Sequence, residues 1–333
     1  MRAQVLTKSG GPENFQLTDL PIPEVRKGTV LVRIAATSVN PIDIKIREGL
    51  PVSPDLPGVL GCDVAGTVEK IGSGVIGFAA GDKVFGCVGG VKGQGGALAA
   101  YIVADAQLLS PKPRNISMRE AATLPLVSIT AWDGLERTSV GSSDYVLIHG
   151  GTGGVGHVAI QLAKSLGAMV ATTISSAESA TIARKLGADE TIDWHAEKVE
   201  DYVQRLTEGR GFDVVFDPLG GDNLQQSFRA VGAEGRVVTT NARTTQDLGL
   251  MHSKGLSLYV VFMILPLLRR IGRDRHGRIM RNVSKLVEEG KLHPLLDPTH
   301  FTLETAPDAH RLLESGKARG KVAIDINEEA RAC

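Results

Sequence analysis

The chain has 333 residues, 42% hydrophobic and 22% charged, ordinary proportions for a soluble globular protein. At about 100–200 residues per domain it is long enough for two domains. Its 37 basic and 37 acidic side chains cancel, so no global field draws it to nucleic acid or an anionic membrane, and a small-molecule partner is expected.

In chain order, residues 1 to about 121 carry short β-like runs punctuated by glycine and proline. Val30–Ala35, Val64–Ile71, Lys83–Phe85 and Ala99–Val103 are the clearest, and the glycines of 72–74 and 89–96 read as turns. The pattern predicts a compact, mostly antiparallel β domain. From about 122 to 263 strands alternate with amphipathic helices. The strands are Tyr145–Ile148, Met169–Ile174, Thr191–Asp193, Phe212–Phe216 and Gly235–Thr240, with helices at about 156–167, 177–187 and 197–208. That alternation predicts βαβ units and a parallel sheet.

The apolar run Leu256–Met263 is expected as the last strand. The longer stretch to Leu268 is broken by Ser257 and Pro266 and falls short of the roughly 20 residues a spanning helix needs. Helix (Ile279–Glu289) and strand (Gly320–Asp325) then return, and the locally basic Arg269–Arg278 reads as a solvated loop. The N-terminus has no apolar signal region, and Cys62, Cys87 and Cys333 make no disulfide framework. The expected setting is cytoplasmic and reduced.

The stretch 145–167 carries most of the chemistry. A buried strand opens into a glycine turn, and the turn opens into a periodic helix. Gly151, Gly153 and Gly156 match G-x-G-x-x-G in the strand–turn–helix context that gives the pattern meaning, with Gly154 and Val155 between them. The first glycine permits the turn, the second a close approach to a pyrophosphate, and the third close helix–strand packing. The chain is therefore expected to bind a dinucleotide. After the second strand, where an NAD-binding fold usually carries an acid, the chain reads Ser175-Ser176-Ala177, with no carboxylate before Glu178. Nothing there repels a 2′-phosphate and two hydroxyls can donate to it, which favours NADP over NAD.

Asn40–Gly49, Pro57–Val68 and Gly81–Val84 resemble the zinc-independent quinone oxidoreductase branch of the medium-chain dehydrogenases. Ala121–Pro125 with Thr130-Ala-Trp132, the glycine turn, Leu186–Asp189 and Glu314–Lys321 extend the likeness over nearly the whole chain, in order. The resemblance implies an α/β protein in which a Rossmann doubly wound parallel sheet (122–263) is inserted in a GroES-like β-rich catalytic domain (1–121 and 264–333). It also implies NADPH as cofactor and a homodimer whose Rossmann sheets pair edge to edge through 256–263.

Zinc-dependent relatives hold their catalytic metal with a Cys, a His and a second Cys. Here those positions read Asn40, Cys62 and Leu126, and one thiolate does not make a zinc site, which wants three protein ligands. No metal is expected. Cys62 is then a small residue near the cleft, although a reactive thiol there would make an enzyme sensitive to electrophiles.

Site residues follow from the same resemblance. Asn40 is the candidate contact for the acceptor oxygen or carboxamide, and equally an Asn-Pro turn former. Asp43 orients its loop and Arg47; Lys45, standing where several relatives carry a tyrosine, is either a donor to an oxyanion or a surface lysine. Ile42, Thr130, Asn241 and Lys321 match positions facing the cofactor, while Ser179 and Trp194 replace a lysine and a tyrosine that often attend the 2′-phosphate. Phe262 and Met263 are candidates for lining the acceptor pocket, and His149 reads as a core residue or a support behind the site.

The implied activity is hydride transfer from NADPH to a quinone or an α,β-unsaturated carbonyl, an electrophile that delocalises the incoming charge onto its own oxygen. Rival readings are a narrow enone or enoyl reductase, a non-catalytic nucleotide-binding relative, and a zinc-independent alcohol dehydrogenase.

Overall fold

The computed structural model describes residues 1–331, so Cys333 lies outside the described residues. Two compact units form, the first from residues 1–129, 264–290 and 294 onward, the second from 130–263 and 291–293.

The first unit is built on antiparallel strands. They are β1 (Arg2–Leu6), β2 (Phe15–Asp19), β3 (Thr29–Val39), β4 (Gly58–Val59), β5 (Asp63–Ile71), β6 (Lys83–Cys87), β7 (Tyr101–Asp105) and β8 (Leu109–Pro111). The short helix α1 (Pro41–Arg47) follows β3, and α2 (Met118–Ala121) and α3 (Pro125–Arg137) follow β8. Eleven-residue β3 is the hub: β5 pairs along one edge, while β7 and a C-terminal strand share the other. Most of it is covered on both faces, which is why Val30–Val32 and Ile34–Ala36 read as unbroken apolar runs rather than alternating.

In the second unit strands and helices alternate as the sequence predicts. The series runs β9 (Tyr145–Ile148), α4 (Gly156–Ser165), β10 (Met169–Ile174), α5 (Ala177–Lys185), β11 (Glu190–Asp193) and α6 (Val199–Thr207). It continues through β12 (Phe212–Asp217), α7 (Asn223–Ala230), β13 (Val231–Thr239), α8 (Gly249–Lys254) and β14 (Ser257–Val260). All six strands are parallel, in the order β11-β10-β9-β12-β13-β14. That is the order of a doubly wound dinucleotide-binding sheet, with its switch point between β9 and β12. Val146, Leu147, Ile148, Val214, Val215 and Phe216 of those two strands are fully buried, and this makes their sequences continuous apolar runs.

Two expectations need correction. The last strand stops at Val260, so Phe262 and Met263 lie beyond it, Phe262 exposed and Met263 buried. The basic segment 269–278 is not a loop throughout. After α9 (Leu265–Arg269), helix α10 (Arg273–Glu288) begins six residues before the expected Ile279. Arg273 is buried, bonding Asp105 at 2.9 Å and the Leu267 carbonyl at 2.7 Å. Gly277 lets α10 lie close to the turn at 106–108 between β7 and β8, where a Cβ would stand 2.3 Å from the Gln107 carbonyl oxygen. The chain closes with β15 (Phe301–Thr302), α11 (Ala306–Glu314) and β16 (Val322–Asp325), the strand that pairs with the second half of β3. No helix among the described residues is long and apolar enough to cross a membrane.

Candidate functional site

In the second unit, β9 ends at Ile148 and the chain turns into α4. Gly150 takes φ +68°, a left-handed value that favours glycine. Packing explains two of the three fingerprint glycines. A Cβ on Gly151 would stand 2.3 Å from Thr172 Oγ1, and one on Gly156 would stand 2.1 Å from the Gly150 carbonyl oxygen. At Gly153 the distance to that oxygen is 3.1 Å, tight but not closed. Thr173 pins the turn, its hydroxyl accepting from Gly150 N at 2.9 Å and its carbonyl from Gly151 N at 3.1 Å.

Val155, the residue before α4, brings no side-chain cap, and the N–H groups of Gly154 and Val155 take no partner among the described residues. Unsatisfied N–H groups at the positive end of a ten-residue helix suit a pyrophosphate. These residues fit a dinucleotide.

Beyond β10, Ser175 and Ser176 are exposed. Ser176 caps α5, its Oγ accepting from Ser179 N at 3.1 Å and standing 3.0 Å from Ser179 Oγ. Trp194 is 58% exposed and lies against His195, ring centroids 3.6 Å apart. After β12, Asp217 accepts from the N–H groups of Leu219 and Gly220 at 3.0 and 2.9 Å and from Ser227 at 2.9 Å. Asn241 Nδ2 donates to the Leu219 carbonyl at 3.1 Å, so Asn241 and Asp217 lock the loop at the switch point. His149 is buried behind the turn, and burial pushes its pKa below the ordinary value against the pull of Asp217, leaving it neutral. Thr130 is buried in α3.

In the first unit the sequence candidates converge on a residue that sequence reasoning missed, Asp63. Its Oδ2 accepts from Ser38 Oγ and from Asn40 Nδ2, both at 2.8 Å, and its Oδ1 accepts from the backbone N–H of Leu126 at 2.8 Å. Lys321 Nζ stands 3.8 Å from Asp63, donates to the Val39 carbonyl at 3.1 Å and also donates to Asn40 Oδ1. Asp43 Oδ2 accepts from Asn40 N at 2.8 Å, capping α1, and from Asn40 Nδ2 at 3.2 Å. All of these side chains are buried. Burial pushes Asp43 up to about 6 and raises Asp63, while the Lys321 ammonium moves down against the attraction of Asp63. The signal available in the sequence was a lone carboxylate, Asp63, opening the apolar run Val64-Ala65.

Several expectations change accordingly. The Asn40 carboxamide is engaged at both ends and 0% exposed, so in this arrangement it holds the loop. The Lys321 ammonium is turned inward onto Asn40, Val39 and Asp63. Asp43 does orient the loop, but Arg47 bonds Glu314 and the Gly10 carbonyl instead. Lys45 is exposed on α1 and Ile42 half-buried. Cys62 and Cys87 are free and fully buried, and the Cys87 thiol together with burial pushes the Cys62 thiol well above its usual range. The three positions that carry zinc ligands in metal-dependent relatives thus meet around a carboxylate–ammonium pair. Among the described residues no three His, Cys, Asp or Glu side chains form a metal-binding group.

Known proteins resemble the chain over nearly its whole length. An alcohol dehydrogenase GroES-like domain model matches residues 26–114, and a zinc-binding dehydrogenase model matches 186–324. The 2-methylene-furan-3-one reductase of Solanum lycopersicum is 34% identical over 97% of this chain and 79% of its own. The chloroplastic NADPH-dependent alkenal/one oxidoreductase of Arabidopsis thaliana is 33% identical over the same shares, 97% and 79%. The structure of Escherichia coli quinone oxidoreductase complexed with NADPH superposes with a TM-score of 0.87 at 28% identity, over 98% of this chain and 100% of that one.

Proposed function

The chain belongs to the zinc-independent quinone oxidoreductase branch of the medium-chain dehydrogenase/reductase superfamily, and from that premise we propose that it reduces a quinone or an α,β-unsaturated carbonyl with NADPH. The observation that carries the choice of acceptor is the cluster around Asp63. Where metal-dependent relatives hold a Lewis acid, Asn40, Cys62 and Leu126 supply no zinc-binding set. Without a metal, alcohol oxidation loses its usual means of stabilising an alkoxide, whereas a quinone or enone delocalises the added charge itself.

NADPH, when bound, supplies the hydride. The chain's part is to bind and orient. The amides of Gly154 and Val155, reached through the turn of Gly151, Gly153 and Gly156, hold the pyrophosphate. Ser175, Ser176 and Ser179, with Trp194 beside them, attend the 2′-phosphate, in a stretch free of carboxylates before Glu178. Thr130 and Asn241 take the nicotinamide end, and Phe262 and Met263 the acceptor.

A homodimer paired through β14 is part of the same reading. β14 is the edge strand, and the exposed Val260 and Phe262 lie at it or just past it. A cytoplasmic setting belongs to it too, supported by two free thiols.

A second reading, a narrow enone reductase, is favoured by the names of the two curated relatives. The deciding experiment follows NADPH and NADH oxidation at 340 nm with 1,4-benzoquinone, 9,10-phenanthrenequinone and an aliphatic enone. Hydroquinone formation supports the broad reading, and saturated ketone alone supports the narrow one. No turnover with any acceptor, despite NADPH binding, would sink both. Light scattering at the mass of one chain would remove the dimer.

A further inference from the structure

We infer that Asp63 and Lys321 are positioning residues of this reductase, a buried carboxylate–ammonium pair that fixes which way the Asn40 carboxamide faces and holds the starts of α1, through Asn40, and of α3, through Asp63 itself. The kinetic half of the inference rests on the reductase reading; the positional half does not.

An Asn side chain offers two nearly isosteric orientations, and its surroundings choose between them. Here Asn40 Nδ2 faces two carboxylates, Asp63 and Asp43, and Oδ1 faces the ammonium of Lys321. Turned over, the amide oxygen would meet both carboxylates and the amide nitrogen would meet an ammonium. Each contact would be repulsive in a site with no exposed member to relieve it. Removing the ammonium leaves Oδ1 without its donor and removes half of the discrimination. The backbone places Lys321 for this task, because Val322 pairs with Val39 in the β16–β3 ladder and so sets residues 321 and 40 side by side.

Asp63 does more than neutralise Lys321. Its three donors at 2.8 Å come from the end of β3 (Ser38), the cap of α1 (Asn40) and the second residue of α3 (Leu126). Helix α3 runs for 13 residues with no acid of its own in its first turn, so the Asp63 carboxylate from β5 serves its positive end. One side chain therefore registers two helix starts. The carbonyl of Asn40, in turn, accepts from Asp43 N at 2.9 Å, so a loosened Asn40 loosens the first turn of α1.

The test compares Lys321→Met, Lys321→Arg, Asp63→Asn and the double variant Lys321→Met/Asp63→Asn, by amide hydrogen exchange and by steady-state kinetics with NADPH and 1,4-benzoquinone. In Lys321→Met, exchange at Asp43 and Leu126 should rise roughly tenfold or more while the amides of β9 and β12 keep their wild-type rates. In the same variant kcat should fall about tenfold with KM for NADPH within about threefold, and Lys321→Arg should recover part of the loss. The double variant, which removes both charges, should lose less than the two single losses combined. Wild-type exchange at Asp43 and Leu126 in Lys321→Met overturns the inference. So does a rise spread evenly over β9 and β12, the mark of a merely structural loss. If the wild type reduces no acceptor, the reductase reading fails, and the exchange pattern alone then decides the positional claim. If Asp63→Asn does not fold, the two Lys321 variants decide it.

Discussion

Arg47 and Glu314 stand 267 residues apart in sequence, yet the two terminal guanidinium nitrogens of Arg47 reach the two carboxylate oxygens of Glu314. Arg47 Nε meanwhile donates to the Gly10 carbonyl at 2.8 Å. The Arg47 side chain is 1% exposed and that of Glu314 30%, so the pair joins α1 to α11 with one partner sealed and the other at the edge of water.

Removing the carboxylate leaves a buried cation with the Gly10 carbonyl and, 3.9 Å away, the exposed Glu48 carboxylate to answer it. Breaking a buried pair costs about 3–5 kcal/mol; because Glu314 is reachable by water, Glu314→Ala is expected to cost about 2–3 kcal/mol. Glu314→Gln, which keeps one acceptor, should cost about half as much. Urea unfolding checks this, and a midpoint within error of wild type for Glu314→Ala would show that the pair contributes nothing.

What the sequence revealed and what it hid divides along the range of the interactions. The strands Tyr145–Ile148 and Met169–Ile174 fall where their apolar runs place them, because a strand buried on both faces needs only local pattern to be read. The early start of α10 was hidden. Four arginines between 269 and 275 look like solvent-facing chain until Asp105, 168 residues away from Arg273, removes one of them from water. In the candidate site the positions Asn40, Asp43 and Lys321 were legible and their orientations were not. Which way Asn40 points is set by Asp63, 23 residues on, and by Lys321, 281 residues on, and no local periodicity carries that information.

The glycine turn makes a graded prediction. Gly156→Ala forces a Cβ to within 2.1 Å of backbone, whereas Gly153→Ala meets the same carbonyl at 3.1 Å, which a small shift relieves. NADPH affinity, followed by fluorescence titration, should fall at least about 30-fold in the first variant, as a lost anion site worth about 2 kcal/mol implies, and only a few-fold in the second. Equal losses would show that ligand approach, and not packing, sets both positions.

Cofactor choice is expected to turn on the end of β10. Ser175→Asp puts a carboxylate where none stands before Glu178, repelling a 2′-phosphate while offering an acceptor to ribose hydroxyls. The ratio of kcat/KM for NADPH over NADH should fall by about tenfold to a hundredfold, the effect of about 1.4–2.7 kcal/mol of discrimination. An unchanged ratio would move the 2′-phosphate away from Ser175 and toward Ser179 and Trp194.

Stability against pH carries two opposed contributions. Burial raises Asp43 to about 6, so the folded chain holds a proton that the unfolded chain has lost above about 4, and this group's contribution falls as pH rises between those values. His310 is pushed down to about 3 by burial and by Arg47, so the unfolded chain takes a proton that the folded one refuses; its contribution falls as pH drops from 6.5 toward 3. Each slope is at most about 1.4 kcal/mol per pH unit. Asp43→Asn should steepen the loss of stability on acidification between pH 6 and 4, and His310→Gln should flatten it. Urea midpoints across that range measure both, and parallel curves for all three proteins would remove these two groups as the source.

Cys62 and Cys87 bear on how such an enzyme survives its own substrates. Quinones and enones alkylate thiols, and the attacking species is the thiolate. Both thiols are fully buried, and Cys62 is pushed well above its ordinary range by Cys87 and by burial, so the thiolate is scarce as well as sealed. The fear of an electrophile-sensitive Cys62, natural from its place in the sequence, is answered by its environment. In a Cys333→Ser background, Ellman's reagent at pH 8 should label neither cysteine of the native protein within an hour and both after unfolding in urea. Incubation with 1,4-benzoquinone should leave NADPH turnover undiminished over the same hour. Rapid labelling of one thiol in the native protein, with activity lost in step, would instead put Cys62 within reach of the acceptor and make the electrophile an inhibitor as well as a substrate.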